Sequence, residues 1–270
     1  MLLNVLRNAI RGRKRPLPCP VCANPSPLLE SLDFNKSCAD TAYELAFPRC
    51  GRLIDYHLCT SCGFCFAPEI MRWSADKLRK EIYNDEYIKA DPDYVEKRPE
   101  SFAAALPDIF QMVSPELRHL DFGGGDGHMS RSLCEAGWNS QAYDPFGSNG
   151  HLAEPPTESF DLITAIEVFE HAQDPHQIMA RLVSLLAKDG IIFFSTYISD
   201  GANLAQNGLE WWYAAPRNGH ISLYTREALR TLGRQHLISY TNLSEHTHLY
   251  STSKPPRVRT KLLPIGHVGR

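Results

Sequence analysis

The sequence predicts an α/β fold carrying a small cysteine-rich head, on three observations. Strand-like apolar runs alternate with helical patterns from residue 117 to about residue 240, a glycine-rich turn follows the first of those strands, and seven of the eight cysteines lie before residue 66. Such alternation gives a mostly parallel sheet covered by helices on both faces. With 270 residues, 43% hydrophobic and 22% charged, the chain has a globular composition and length for one large domain or a domain with an attachment.

The elements follow in order. Residues 1–15 form a basic leader, 16–70 the head, 71–100 a connector, 101–250 the body and 251–270 a tail. In the connector, Ser74 is placed to cap a helix. Leu117–Phe122 is the first body strand, followed by Gly123-Gly124-Gly125-Asp126-Gly127 and a helix over Met129–Ala136 that stops at Gly137. Ser140–Tyr143 and Phe160–Ile166 are the next strands. Asp174 and Pro175 then cap and start a helix to Leu186. Gly190–Thr196 is a strand, Thr225 caps a helix to about Arg234, and His236–Tyr240 begins the last strand. Residues 241–270 carry no periodic signal, and Glu245-His246-Thr247-His248 reads as part of a solvated tail rather than a metal site.

Charge and targeting signals narrow the class. Net charge is −3, and the leader holds five basic and no acidic side chains, so the body is more acidic than the whole chain. An acidic body argues against nucleic acid as a substrate. The leader is suited at most to peripheral contact with an anionic surface. Apolar residues precede the basic ones in the first 15 positions, the reverse of a secretory signal, and no apolar run reaches the length of a membrane span. A cytoplasmic protein is expected, and its oligomeric state is left open.

The loop after the first strand is the strongest local motif. Asp121, Gly123, Gly125 and Gly127 fit D-x-G-x-G-x-G, whereas G-x-G-x-x-G fails at its third glycine, where His128 or Ser130 stands. Glycines there let the backbone approach a ligand closely, and the next helix offers its free N–H groups. The loop resembles the cofactor-binding motif of class I S-adenosylmethionine-dependent methyltransferases. That resemblance implies a Rossmann-like sheet, the methionine end of the cofactor at the glycine loop, and its ribose hydroxyls on an acid ending the second strand, here Asp144. Phe160–His171, with Glu167 and the Glu170-His171 pair, is similar to the family's fourth strand and its ending, which implies a place for Glu167 at the cofactor. The resemblance covers roughly residues 115–240. Only 15 residues separate Asp144 from Phe160, too few for a full helix and third strand, so the sheet is expected to be trimmed there and the adenine contact is unplaced, with Glu154 and Glu158 as candidates.

Cys19-x-x-Cys22 and Cys59-x-x-Cys62 are two thiolate pairs, the arrangement of a closed four-thiolate zinc site. Such a site folds the head rather than catalysing. A zinc head before a methyltransferase body resembles the bacterial sugar C-methyltransferases and related polysaccharide-pathway enzymes, and also some ribosomal-RNA methyltransferases. The acidic body favours the first group. Trp211, Trp212, Tyr213 and Arg217 fall on an irregular segment expected to close over the strand ends, with aromatic faces for a sugar ring and a guanidinium for a phosphate or carboxylate. His220, in Gly219-His220-Ile221-Ser222, resembles the base of the sugar C-methyltransferases, although Gly219 replaces the acid of their Glu-His pair. His220 is therefore the first expected base and His171 the second. The expectation is methyl transfer to a sugar, nucleotide-sugar or glycan precursor. The alternatives are a zinc-headed RNA methyltransferase and a non-catalytic cofactor-binding scaffold.

Overall fold

The computed structural model describes residues 15–110, 116–145, 156–157 and 159–252. Residues 1–14 of the leader, Glu154 and Glu158 lie outside the described residues.

In the head, β1 (Leu17–Pro18) and β2 (Pro25–Ser26) form a small hairpin around the first cysteine pair. β3 (Leu28–Asp33), β4 (Leu53–Leu58) and β5 (Cys65–Phe66) form an antiparallel sheet. Three helices follow: α1 (Ala75–Glu81), α2 (Tyr87–Ala90) and α3 (Lys97–Phe110). Ser74 caps α1 by accepting from the Lys77 N–H at 3.2 Å. The span 71–100 thus holds two helices and the first turn of a third.

The main sheet comprises β6 (Arg118–Phe122), β7 (Asn139–Tyr143), β8 (Phe160–Ile166) and β9 (Leu186–Ser195) in parallel, separated by α4 (His128–Glu135) and α5 (Pro175–Ser184). The Asp174 carboxylate accepts from the N–H groups of His176 and Gln177, as a cap should. The helix stops short of Leu186 because Phe160 N–H bonds Leu185 O and Leu186 already pairs with Phe160; a left-handed residue, Asp189, then precedes the apolar run. After α6 (Leu204–Asn207), β10 (Ser222–Leu223), α7 (Arg226–Gln235), β11 (Ser239–Asn242) and β12 (Thr247–Ser251), the strand order is β11-β12-β9-β8-β6-β7. Among the described residues the sheet ends at β7, with no strand beyond it.

One expectation is corrected. Residues 247–251 are no solvated tail: β12 lies antiparallel between β9 and β11, and His246 and His248 are buried. Its alternation Thr-His-Leu-Tyr-Ser mixes polar and apolar side chains on a strand covered on both sides, which hides the signal. The head packs directly against the body. β10, from the body, adds a fourth strand to the head sheet, and Cys19, Cys59, Cys62, Phe64 and Phe66 pack into the same core cluster as Leu120, Phe194 and Tyr250. Lys36 donates to the carbonyls of Leu209, Trp211 and Ala214, and Thr225 to that of Cys62. No helix among the described residues is long and apolar enough to cross a membrane.

Candidate functional site

A cleft of about 770 Å³ opens at the carboxyl ends of β6, β7 and β8, where open parallel sheets hold ligands. One wall is the glycine loop. Gly123 has φ +75°, and a Cβ there would stand 2.5 Å from the Val168 side chain, so only glycine lets the loop lie against β8. Gly127, also left-handed, precedes α4. Asp144 ends β7 and accepts from the Gly125 N–H at 3.0 Å, tying strand end and loop into one rim. Asp121 is buried beneath, bonded by the Thr164 hydroxyl at 3.1 Å, and burial pushes its carboxyl up to about 7.

Glu167 stands at the end of β8 with φ +52°, a strained conformation for a non-glycine residue. Its carboxylate accepts from Ser195 Oγ at 2.7 Å and His246 Nε2 at 2.9 Å, and the Tyr213 hydroxyl oxygen lies 3.1 Å away. Burial opposes its ionisation, but His246, Arg98 and Ser195 outweigh it and hold Glu167 well below the usual carboxylate range. Glu170 is the opposite case. It is fully buried, accepts from Tyr213 OH at 2.7 Å, and is pushed well above its ordinary value by burial and by the Glu167 charge.

The facing wall comes from the span expected to be a connector. Tyr83, Tyr87 and Tyr94 line the cleft, as does Arg98, whose guanidinium holds Asp91 through two bonds of 2.9 and 2.8 Å. His171 completes the wall. Its Nδ1 must carry the proton, because its partner at 3.0 Å is the Gly219 carbonyl; the lone pair is therefore on Nε2. Burial lowers its pKa, so the ring is neutral near pH 7.

The structure therefore gathers Asp121, Gly123, Gly125, Asp144, Glu167 and His171 at one cleft, with Gly127 starting the helix beneath. It does not bring the expected substrate segment there. Residues 213–224 are buried between head and sheet instead of closing over the strand ends, because β10 pairs with β5. Tyr213 points into the interior with its hydroxyl on Glu167 and Glu170. Arg217 donates to Ile82 O and Asn84 Oδ1 and stacks over Phe47. Trp211 and Trp212 line a separate hollow of about 350 Å³ with Tyr197, Arg226 and Glu245. His220 is 5% exposed, donates Nδ1–H to Tyr213 O at 2.8 Å and lies behind His171, their ring centroids 5.1 Å apart; burial and His171 push its pKa to about 3. The residues missed from sequence are Tyr83, Tyr87, Tyr94, Arg98 and His246. The tyrosines' crowding in 83–94 was the available signal.

In the head, the sulfurs of Cys19, Cys22, Cys59 and Cys62 lie within 4.8 Å of one another, with close pairs at 3.7, 3.4 and 3.5 Å. Zinc–sulfur bonds of about 2.3 Å in a tetrahedron require sulfurs about 3.8 Å apart. The donor set and spacing fit a zinc ion.

A family model described as a methyltransferase domain matches residues 94–236, more than half of the chain. Among curated proteins, the chain is similar to a ubiquinone biosynthesis O-methyltransferase of Actinobacillus pleuropneumoniae, 49% identical over 28% of this chain and 44% of that protein. It is also similar to one of Ralstonia nicotianae, 26% identical over 41% of this chain and 63% of that protein. The chain spans less than two thirds of the length of these relatives. Among solved structures, the plantazolicin methyltransferase in complex with SAH aligns at 12% identity and a TM-score of 0.46, over 69% of this chain and 96% of that one.

Proposed function

The chain belongs to the methyltransferase-domain family, and from that premise we propose that it transfers a methyl group from S-adenosyl-L-methionine to a hydroxyl of a small ring-bearing acceptor. The observation that carries this reading is the joined rim of glycine loop and Asp144 over the cleft. Asp144 offers carboxylate oxygens to a vicinal diol, the Gly123–Gly127 loop admits the methionine end, and Arg98 has N–H groups beyond those spent on Asp91 for the cofactor's carboxylate. The cofactor supplies an electrophilic methyl group on a sulfonium, so the protein's task is alignment and removal of one proton.

We assign the acceptance of that proton to His171, which lines the cleft. Its tautomer is set by Gly219 O, its ring is neutral, and Tyr83 packs edge-on against it at 6.0 Å between centroids. His220, buried behind it, supports the ring rather than meeting the acceptor. We assign zinc to the four head cysteines as a structural ion.

For the acceptor we keep a sugar, nucleotide-sugar or glycan precursor as the first reading, supported by the zinc-headed architecture and by the tyrosine faces of the cleft. A phenolic or quinol hydroxyl is the second, favoured by the names of the relatives, which cover only part of their length. Transfer of tritiated methyl from S-adenosyl-L-methionine into nucleotide sugars, lipid-linked glycans, hydroxylated aromatics and RNA tests both. Label in a sugar or an aromatic decides between them. Label in RNA alone, or in none of the four while the cofactor binds, would replace the proposal with the RNA or scaffold reading.

A further inference from the structure

Behind the cleft wall, Glu170, His171 and His220 bring a carboxylate oxygen and two imidazole nitrogens within 4.8 Å of one another. Glu170 Oε2 is fully buried and has no hydrogen-bond partner among the described residues. Its other oxygen is held by Tyr213 OH and lies 3.9 Å from His171 Nε2. A buried carboxyl group with one oxygen unsatisfied is costly and calls for a partner.

The two histidines are arranged for one kind of partner. Each donates Nδ1–H to a backbone carbonyl, His171 to Gly219 and His220 to Tyr213, leaving the Nε2 lone pair of each ring as an acceptor. Such a bond from Nδ1–H to a carbonyl is the usual support of a metal-ligating imidazole. Neither ring can therefore donate from Nε2 to Glu170, and the single proton of a neutral Glu170 can serve only one of the two lone pairs, whereas a cation that displaces it meets both lone pairs and the carboxylate.

We propose that Glu170, His171 and His220 form a second metal site, for a first-row divalent cation such as zinc, iron or cobalt, distinct from the head's four cysteines. Two imidazoles and one carboxylate suit those ions rather than magnesium or calcium. An ion bound at about 2.1 Å from each donor needs donors about 3.4 Å apart in a tetrahedron. The 3.9 Å between Glu170 and His171 asks for a contraction of about half an ångström there. Three protein ligands leave a fourth position for solvent, unlike the closed cysteine site. Entry is from the cleft, which His171 lines.

The site bears on the proposed reaction, and this consequence rests on that reading. The ion takes the same Nε2 lone pair that would accept the acceptor's proton, so loading and proton acceptance compete. Metal uptake slows methyl transfer in proportion to occupancy, and a chelator that spares the head zinc restores it.

The test uses the full chain with its head saturated by zinc, which is colourless, and Co²⁺ as the probe. The wild type should take up one further equivalent, with visible d–d bands of nitrogen and oxygen ligation and no sulfur-to-cobalt charge transfer. Glu170→Gln, which is isosteric and keeps an oxygen for Tyr213, should weaken that uptake at least about tenfold, and His220→Asn likewise. Melting temperature and head zinc content serve as fold controls. Absence of the cobalt bands at millimolar Co²⁺, or bands unchanged in folded Glu170→Gln, would overturn the site. Failure to transfer methyl groups leaves this readout untouched, and failure to bind cobalt leaves the methyl-transfer reading standing.

Discussion

The two walls of the cleft are built in different ways. The glycine-loop wall comes from one short stretch, Asp121 to Asp144, in which a strand, a glycine turn, a helix and a second strand place its groups through local backbone geometry. The opposite wall is assembled from Tyr83, Tyr87, Tyr94, Arg98 and His171, residues spread over 89 positions and supported from behind by the buried segment 213–220. A wall made locally tolerates changes elsewhere. One made by packing depends on the head, because β10 and Lys36 pin the 209–223 segment that carries Tyr213, Gly219 and His220.

The largest expected effect therefore falls far from the cleft. Cys59→Ser should cost about 4 kcal/mol or more, with loss of the head metal, because thiolate ligation is part of the folding free energy. Since Cys59 and Cys62 share a core with the main sheet, calorimetry should show one cooperative transition moving down. A head that melts separately while the sheet stays put would show that the walls are independent after all.

Next comes the assembled wall's own chemistry. His171→Ala should lower kcat by about 10²–10⁴ while leaving cofactor affinity nearly unchanged. Burial lowers the pKa of His171, so its acidic limb in a pH–rate profile should lie below the ordinary histidine value near 6.5 and vanish in the variant. Normal turnover would remove His171 from the reaction.

Acid should expose the packing more gently. Burial pushes His119, His220 and His248 each down to about 3. Below about pH 6.5 the unfolded chain takes up protons that the folded chain refuses, so their contribution to stability falls with pH from there towards about 3. Urea midpoints measured between pH 7 and 4 should decline, and His248→Gln, if folded, should flatten the decline. The smallest effect is expected at Trp212, which faces the separate hollow: Trp212→Ala should leave kcat/KM and cofactor affinity within about twofold, as substitutions away from a site do.

The same contrast explains what could be read in the sequence. The helix caps Ser74, Asp174 and Thr225, the strand Phe160–Ile166 and the glycine loop follow from neighbours in the chain and stand where their patterns indicated, and the two cysteine pairs, each local in itself, come together as their repeated spacing indicated. The aromatic segment 211–224 did not, because nothing local says that Ser222 and Leu223 pair with Phe66 and Cys65 more than 150 residues away. His220, expected as a base from its resemblance to a family motif, is buried instead: Tyr56 OH bonds its carbonyl at 2.8 Å and the head closes over it. His246 reaches Glu167 from a strand whose polar residues concealed its burial.

The central claim is that the rim of Gly125 and Asp144 holds S-adenosyl-L-methionine, and titration calorimetry on the wild type and Asp144→Ala tests it most directly. Losing a charged acceptor for the ribose hydroxyls should cost about 1.5–3 kcal/mol, a loss of roughly 10- to 150-fold in affinity, with the fold intact by circular dichroism. One saturable site on the wild type, weakened to that degree in the variant, is the expected result. No binding to the wild type, or equal affinity in the two proteins, would contradict it.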